Sequence, residues 1–353
     1  MNGKAGLLVL CLMAGPALSQ GFAGLGSNAD GFAAPAPNPV FSFPADHGSH
    51  PEYRIEWWYL TATLSDAAGQ EYGIQWTLFR SGLSPEEASG WTPAQLWMGH
   101  AGLTTETAHF HAERLARGGI GQAGVTAAPF EAWIDDWAMM STASEGADAL
   151  STLDLTARGA EFSYDLALEA TGPLIFQGAG GYSVKSADGR SSYYYSQPFY
   201  QVTGTLTLPD GPVEVTGNAW LDREWSSQPL SADQTGWDWF SIRFESGARL
   251  MGFALRSAIR PTYTSATWIA PDGTTTAYPD GALVLTPLRN RAVAGRDMPT
   301  EWRVELADRD VDIRTTALNP QSWMGTSFPY WEGPIRVTGS HEGRGYLEMT
   351  GYE

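Results

Sequence analysis

The chain is poor in cysteine and in basic residues: it has one cysteine, Cys11, and 21 Lys and Arg against 39 Asp and Glu, a net charge of −18. Because Cys11 lies near the start, the rest of the chain forms no disulfide and takes its stability from a packed core. So acidic a protein repels phosphate backbones, which excludes nucleic acid as a partner. With 353 residues, 43% apolar and 17% charged, it is globular, with one large domain or two ordinary ones.

The chain also lacks the signatures of several enzyme classes. It contains no Gly-x-Ser-x-Gly elbow, no His-Glu-x-x-His zinc helix and no Walker-type phosphate loop. A glycine string at Gly119, Gly121 and Gly124 follows polar sequence rather than a strand, and it is interpreted as a loop. His109 and His111 have no clear third ligand for zinc. We therefore predict no metal and no cofactor.

The N-terminus has the features of a secretory signal peptide. Lys4 supplies a positive start, an apolar stretch covers 5–14, and 17–19 (Ala-Leu-Ser) fits a small-x-small cleavage site. We predict that residues 1–19 are removed and that the protein is periplasmic or secreted. No later stretch has the ~20 apolar residues of a membrane span, so none is expected in the mature protein. Residues 20–40, rich in Gly, Ala, Asn and Pro, are predicted to be a flexible leader.

Beyond residue 40 the chain is a succession of short β-like runs with turn signals between them. The runs 56–64 and 72–80, for example, flank a hairpin turn. Helical signals are sparse, and 112–117 is a candidate for a short helix. The pattern predicts an all-β fold of barrel or sandwich type. A polar, turn-rich stretch at 226–236 indicates a domain boundary.

The most informative stretch is 217–227, Gly-Asn-Ala-Trp-Leu-Asp-Arg-Glu-Trp-Ser-Ser. Residues two apart share a face of a strand, so Trp220, Asp222 and Glu224 are expected on one side and Arg223 on the other. A carboxyl beside an indole in a cavity is a candidate for a raised pKa and for proton donation. The alternative is a structural pair in which Arg223 neutralises one of the carboxylates.

Three further segments are rich in aromatic residues and indicate an apolar cavity. In 56–59 (Glu-Trp-Trp-Tyr), one face lines a ligand cavity or a domain interface, or else both faces are packed core. Tyr193 and Tyr195 share a face in the second segment, and the third contains Trp237 and Trp239. Such walls suit a greasy or polyene-like ligand and stabilise cations through their ring faces.

Five motifs, in order, resemble those of the secreted lipocalin-like family that includes the attachment-locus AttH proteins and the "predicted secreted hydrolases", with the carotenoid 1,2-hydratases as distant members. The motifs are HPEYRIEWWY (50–59), SYYYS (192–196), AWLDREWSS (219–227), GWDWF (236–240) and GYLEMTGY (345–352). The resemblance covers the chain from about residue 40 to its end.

The resemblance implies two lipocalin-like antiparallel β-barrels packed together, of residues 41–225 and 226–353, with an apolar pocket within or between them. It implies that Asp222 is the proton donor and that Glu224 is a second acid/base or orienting group. From the aromatic segments and motifs, the residues expected to bind the ligand are Glu56, Trp57, Trp58, Tyr59, His100, Tyr193, Tyr195, Trp220, Trp237 and Trp239.

Two functions are compatible with this resemblance. The first is an exported enzyme that acts on an apolar, isoprenoid-, carotenoid- or lipid-like substrate by acid-assisted hydration or hydrolysis. The second is a non-catalytic envelope protein that binds a lipophilic molecule and works with an ABC-type export system. An Asp222 side chain that faces the cavity without a cation favours the enzyme. A closed network of Asp222 with Arg223 or a tyrosine favours the binding protein.

Overall fold

The computed structural model describes residues 29–86, 93–228, 230–231 and 233–352. The predicted signal peptide, residues 1–19, lies outside these ranges. Within them the chain forms β-strands and two single-turn 3-10 helices, Ala45–His47 and Ala307–Arg309. No helix in the described part of the chain has the length and apolar character needed to cross a bilayer.

The first sheet consists of thirteen antiparallel strands. In chain order they are β1 (Ile55–Ser65), β2 (Glu71–Gly82), β3 (Gln95–Thr105), β4 (His109–Arg117), β5 (Ala123–Ala127), β6 (Phe130–Ile134), β7 (Trp137–Ser141), β8 (Thr152–Arg158), β9 (Ser163–Ala170), β10 (Ile175–Phe176), β11 (Tyr182–Val184), β12 (Ser191–Leu208) and β13 (Gly211–Ser226). Their order in the sheet is β4-β3-β2-β1-β13-β12-β9-β8-β7-β6-β5, with β10 and β11 paired to β12. Because β1 pairs with both β2 and β13, the first and last strands of this sheet lie side by side.

The second sheet consists of ten antiparallel strands. In chain order they are β14 (Gln234–Phe244), β15 (Arg249–Ser257), β16 (Tyr263–Ile269), β17 (Thr275–Tyr278), β18 (Leu283–Val293), β19 (Arg296–Leu306), β20 (Val311–Ala317), β21 (Trp323–Met324), β22 (Tyr330–Gly339) and β23 (Gly343–Met349). Their order is β17-β16-β15-β14-β23-β22-β20-β19-β18, with β21 paired to β22. Here too the first and last strands, β14 and β23, are neighbours.

Each sheet curls around its own apolar core. Alternate residues of a strand point to opposite faces, so the apolar residues of one face are turned inward. Trp58 and Leu60 of β1 are buried in the first core, and Phe240 and Ile242 of β14 in the second. The two curled sheets confirm the predicted all-β fold of two lipocalin-like antiparallel barrels packed together.

The outer faces of the two sheets pack against each other. Tyr59 of the first sheet packs edge-to-face on Trp239 of the second, with ring centroids 5.2 Å apart. Across the second sheet, directly opposed residues form rows that run over β15, β14, β23 and β22. One such row is Phe253, Trp239, Glu348 and Glu332. This face-to-face contact encloses the candidate site.

The helix predicted at 112–117 is wrong, since these residues belong to strand β4. Ala116 pairs with Trp97 of β3, and Glu113 pairs with His100. The free edge of β3 supplies backbone partners, and this tertiary pairing overrides a weak local helical preference. Of the predicted leader, residues 29–40 are described; they lie along the first sheet, where the Ala36 N–H donates to the Tyr193 hydroxyl over 2.9 Å.

Candidate functional site

A cavity lies between the two sheets. Its empty volume is about 800 Å³ when the space out to its mouth is included, within the range of pockets that hold small organic molecules. Most of its wall is aromatic or aliphatic. The described lining residues are Trp57, Tyr59, Thr77, Phe79, Lys185, Tyr194, Asp222, Glu224, Leu230, Trp237, Trp239, Phe253, Leu255, Tyr330 and Glu348.

The register of β1 with β13 determines which residues of the first sheet reach this cavity. Tyr59 lies opposite Asp222, and Trp57 lies opposite Glu224. On the other side of β13, Tyr194 of β12 is paired with Glu224. Because directly opposed residues share a face of the sheet, these five side chains form one wall.

Asp222 is the central polar group of that wall, and it is 2% exposed. Its Oδ1 accepts from the Ser196 hydroxyl at 2.5 Å and from Trp220 Nε1–H at 2.6 Å, and its Oδ2 accepts from the Tyr194 hydroxyl at 2.6 Å. Burial raises the pKa of Asp222 to about 7, against the opposing effect of these three donors. At neutral pH its acid and base forms are therefore both populated.

The interpretation in which Arg223 pairs with Asp222 is wrong. Arg223 points to the opposite face of β13, where its guanidinium forms an ion pair with Glu56. It stacks there on the ring of Trp58, 3.8 Å from the centroid. No Lys or Arg of the described chain lies within 4.0 Å of the Asp222 carboxyl. Asp222 does hydrogen-bond to a tyrosine, Tyr194. It therefore combines a feature expected of the enzyme, a carboxyl without a cation, with one expected of the binding protein, a bond to a tyrosine.

Glu224, two residues further along β13, does have a cation partner. Lys185 Nζ lies 2.8 Å from its Oε1, and the Ser192 hydroxyl also donates to this oxygen. The ammonium group stands over the rings of Tyr194 and Phe253, at 4.8 and 4.3 Å from their centroids. This pair gives one end of the cavity a fixed polar group in an otherwise apolar wall.

The opposite wall contributes a second carboxyl, Glu348 of β23, which faces the cavity. Burial, together with the nearby Asp222 and Glu224, raises the pKa of Glu348 to about 8 against the opposing effect of a hydrogen bond from Trp237. Sequence reasoning missed Glu348, although it lies in the terminal motif 345–352. Its strand pairing identifies it: Glu348 lies directly opposite Trp239, so the two side chains share one face of the sheet.

Behind the cavity, a chain of hydrogen bonds runs from Tyr330 toward the surface. The Tyr330 hydroxyl lies 3.1 Å from His100 Nδ1, and His100 Nε2 lies 3.2 Å from Glu113 Oε1. Burial lowers the pKa of His100. Hydrogen bonds from His100 and Ser327 outweigh burial and lower the pKa of Glu113 to about 2. A neutral His100 that donates to an ionised Glu113 accepts a proton from Tyr330 through Nδ1.

A fourth buried carboxyl, Glu332, adjoins this chain. Its Oε1 accepts from the Tyr59 hydroxyl, and Tyr330 also forms a hydrogen bond with this carboxyl. Burial and the nearby Glu348 raise the pKa of Glu332 well above its usual range. This shift favours the protonated form of Glu332, which links the phenol of Tyr59 to the second wall.

Six of the predicted site residues line the cavity: Trp57, Tyr59, Asp222, Glu224, Trp237 and Trp239. Two others lie directly behind it. Trp220 donates to Asp222, and His100 contacts Tyr330. Eight of the twelve predicted site residues therefore line the cavity or contact a residue that lines it.

The remaining four predicted residues, Glu56, Trp58, Tyr193 and Tyr195, lie on the opposite face of the first sheet and do not line the cavity. Trp58 and Tyr195 are buried in the first core, and Glu56 is enclosed by arginines. The placement of Tyr193 and Tyr195 in the wall is corrected to Tyr194, because Tyr194 is the residue opposite Glu224. Three consecutive tyrosines place a tyrosine on each face of the strand, whichever face points to the cavity. The register of β12 with β13 decides which of them faces it.

This arrangement allows proton transfer in an apolar space. Asp222 and Glu348 are held near or above neutrality in pKa, while the surrounding indole and phenol rings stabilise a developing cation. Among the described residues no group of three His, Cys, Asp or Glu side chains is arranged to hold a metal ion. The described lining includes one aliphatic hydroxyl, Thr77, and no serine or cysteine.

Solved structures with the same fold extend this description. An AttH protein from Nitrosomonas europaea is 30% identical, covers 91% of this chain and 100% of its own, and superposes with a TM-score of 0.80. Kievitone hydratase from Nectria haematococca is 15% identical, with coverage of 90% and 95% and a TM-score of 0.68. CghA is 14% identical, with coverage of 92% and 97% and a TM-score of 0.53.

At these identities the two latter proteins share the fold with this chain. A search of curated proteins found no match. The resemblance inferred from the five motifs is nevertheless confirmed at the level of the family. The family model described as AttH-like matches residues 34–352, and the chain therefore belongs to the AttH-like family.

Proposed function

We propose that the protein is a hydratase-like enzyme that adds water to a carbon–carbon double bond of an apolar, isoprenoid-, carotenoid- or lipid-like substrate, or removes water in the reverse direction. The observation that carries the proposal is the Asp222 carboxyl, which faces an aromatic-walled cavity without a cation partner. Hydration is favoured over hydrolysis because the described lining offers no serine or cysteine nucleophile. That one protein of the same fold is a hydratase is consistent with this choice.

In the forward direction, Asp222 in its acid form transfers its proton to one carbon of the double bond. The other carbon becomes a cation, which the ring faces of Trp57 and Trp239 stabilise. Asp222 is left as a carboxylate, and its three hydrogen-bond donors are already oriented toward that charge. Burial therefore keeps Asp222 protonated before the reaction. The preorganised donors stabilise the carboxylate that forms, which lowers the free energy of the proton transfer.

Water completes the reaction from the other wall. As the water oxygen bonds to the cation, one of its protons passes to the Tyr330 oxygen while the Tyr330 proton moves to His100 Nδ1. The new imidazolium is stabilised by the Glu113 carboxylate at 3.2 Å. The proton gained by His100 balances the one lost by Asp222, so exchange with solvent restores both groups.

Native mass spectrometry of the protein purified from its own source tests this proposal. The wild type is expected to carry a hydrated product, and the Asp222→Asn variant its unhydrated precursor, 18 Da lighter. Asp308→Asn, which changes an exposed carboxylate far from the cavity, is the matched control and is expected to carry the product. The same molecule, unchanged, in the wild type and in Asp222→Asn would exclude a chemical role for Asp222.

A second function is supported by one observation. The Tyr194, Ser196 and Trp220 donors already satisfy Asp222, as expected of a site that binds a lipophilic molecule without reacting with it. In that case the protein works as a carrier, with an ABC-type exporter as its partner. The unchanged ligand in the experiment above is the result that selects this function.

We further propose that the protein acts outside the cytoplasm, as its first nineteen residues indicate. The N-terminal mass of the protein recovered from cell fractions tests this. A periplasmic or secreted form that begins at Gln20 is expected. A cytoplasmic form that retains Met1 or Asn2 would exclude export.

A further inference from the structure

A row of four arginines crosses the outer face of the second sheet at the end remote from the cavity. Arg249, Arg243, Arg344 and Arg336 are directly opposed on β15, β14, β23 and β22. Like charges that face each other across strands destabilise a sheet. A chain with 21 basic residues against 39 acidic ones has therefore concentrated positive charge at one place, where an acidic or anionic partner is stabilising.

Three of the four have partners on the first sheet. Arg249 Nε donates to the Pro198 carbonyl at 2.7 Å. Arg344 lies 2.8 Å from Glu71, and Arg336 forms ion pairs with Glu71 and Glu106. These contacts join the two sheets. They also supply two carboxylates to Arg344 and Arg336, whereas Arg249 has a backbone carbonyl as its partner.

Arg243, in the middle of the row, has no acidic partner within 4.0 Å among the described residues. Arg243, which is exposed, lines a second, smaller cavity at the junction of the sheets, with an empty volume of about 300 Å³ including the space out to its mouth. Arg344 lines the same cavity. The carboxylate of Glu71, which compensates Arg344 from beside it, does not line this cavity.

The cavity also has neutral hydroxyl donors in its wall. Thr61 and Ser241 are 2% and 4% exposed, and both line this space together with Arg243 and Arg344. Two hydroxyls and two arginine side chains around one cavity are a donor set suited to a tetrahedral oxyanion.

We propose that this second cavity is a binding site for a phosphate-type oxyanion, held by Arg243 and Arg344 and by the Thr61 and Ser241 hydroxyls. The anion supplies the negative charge that the arginine row lacks. The group comes either from free phosphate or from an anionic lipid headgroup. The site is separate from the main cavity and does not depend on the function proposed above.

Calorimetric titration with inorganic phosphate, against chloride at equal ionic strength, tests the site. The wild type is expected to bind one phosphate per chain, and Arg243→Gln is expected to bind it at least about tenfold more weakly, because a charge-assisted contact is lost. Ser241→Ala is expected to weaken binding by a smaller factor. Arg289→Gln, at a side chain 56% exposed and paired with Glu301, is the control and is expected to bind like the wild type.

Flotation with vesicles separates the two sources of the anion. Binding to phosphatidylglycerol vesicles but not to phosphatidylcholine vesicles, lost in Arg243→Gln, indicates a lipid headgroup. Phosphate binding without vesicle binding indicates a free oxyanion. The proposal is overturned if neither probe binds the wild type, or if Arg243→Gln and the wild type bind both probes equally.

Discussion

Asp222 and Arg223 are consecutive in the chain, yet they lie on opposite faces of β13 and belong to different charge clusters. Arg223 neutralises Glu56 inside the first sheet, whereas Asp222 faces the cavity with neutral donors alone. The alternation of a strand is what separates them.

The raised pKa of Asp222 predicts a specific dependence of stability on pH. An ordinary aspartate titrates near pH 3.9, and Asp222 titrates at about 7 in the folded protein. A group with a raised folded pKa contributes stability that is fully present below about pH 4 and is lost as the pH rises through 7. We expect the free energy of unfolding in urea to fall between about pH 4 and pH 7, with a contribution from Asp222 on the order of 4 kcal/mol.

Asp222→Asn should remove much of this slope, because the variant has no proton to lose at that site. Asp308→Asn should keep the wild-type slope. Glu348, with a pKa raised to about 8, contributes in the same direction and should leave a residual slope above pH 7. Equal slopes in the wild type and in Asp222→Asn would show that Asp222 ionises normally.

The Glu56 cluster predicts the opposite dependence. Glu56 is buried, and Arg80 and Arg223 more than offset the effect of burial, so the pKa of Glu56 is lowered. Its contribution to stability is present above about pH 4.5 and is lost as the pH falls. Glu56→Gln leaves two buried arginines uncompensated and should cost about 3–5 kcal/mol in urea unfolding at pH 7.

The matched control for this prediction is Asp312→Asn. Asp312 pairs with Arg303 at 2.8 Å, but its side chain is 58% exposed. Surface pairs of this kind contribute about 0–1 kcal/mol. A loss of similar size in Glu56→Gln and Asp312→Asn would mean that the buried cluster does not organise the first sheet.

The wall opposite Asp222 predicts a pH–rate profile with two limbs. On the substrate identified by mass spectrometry, turnover should fall at low pH as His100 becomes protonated and at high pH as Asp222 ionises. His100→Gln should lower turnover by about a hundredfold or more and abolish the acidic limb. His111→Gln, at an exposed neighbour on β4, should keep both limbs and move the acidic one to slightly higher pH, because His111 lowers the pKa of His100. Persistence of the acidic limb in His100→Gln would exclude His100 as the base.

Much of the site follows from the sequence, because the segment that carries it is a single strand. Alternation along 220–224 is enough to place Asp222 and Glu224 on one face and Arg223 on the other, whatever the rest of the chain does. Trp237 and Trp239 are indicated instead by the density of aromatic residues in 236–240. The all-β class follows from the density of turn signals between short apolar runs.

The rest depends on pairing between strands distant in sequence. Three successive tyrosines offer a tyrosine to either face, and only the register of β12 with β13 selects Tyr194. Glu348 is an ordinary carboxylate in the sequence, and its raised pKa arises from the packing of the second sheet on the first. Lys185 could not be predicted for the same reason. It lies outside the regular strands, and only the folded chain brings it next to Glu224.

Lys185 and Glu224 should behave as one unit in a double-mutant cycle. Their side chains are 11% and 6% exposed, so removal of either partner leaves the other charge with little access to water. We expect Lys185→Met and Glu224→Gln each to lower the free energy of unfolding by about 3 kcal/mol. The double variant should lose less than the sum by about 0.5–3 kcal/mol. Additive losses in urea unfolding would mean that the two side chains do not interact.

The chemistry of the chain offers an independent check on the same pair. Its two lysines are Lys4 and Lys185, so a protein that lacks its first nineteen residues has one lysine. Modification by an amine-reactive reagent, mapped by peptide mass, should be slow at Lys185 in the wild type because Glu224 and two aromatic rings surround the ammonium group. It should be faster in Glu224→Gln, where the ammonium group loses its ion-pair partner and its flexible side chain is held less firmly in the cavity wall. Equal rates in the two proteins would mean that Glu224 does not hold Lys185 in place.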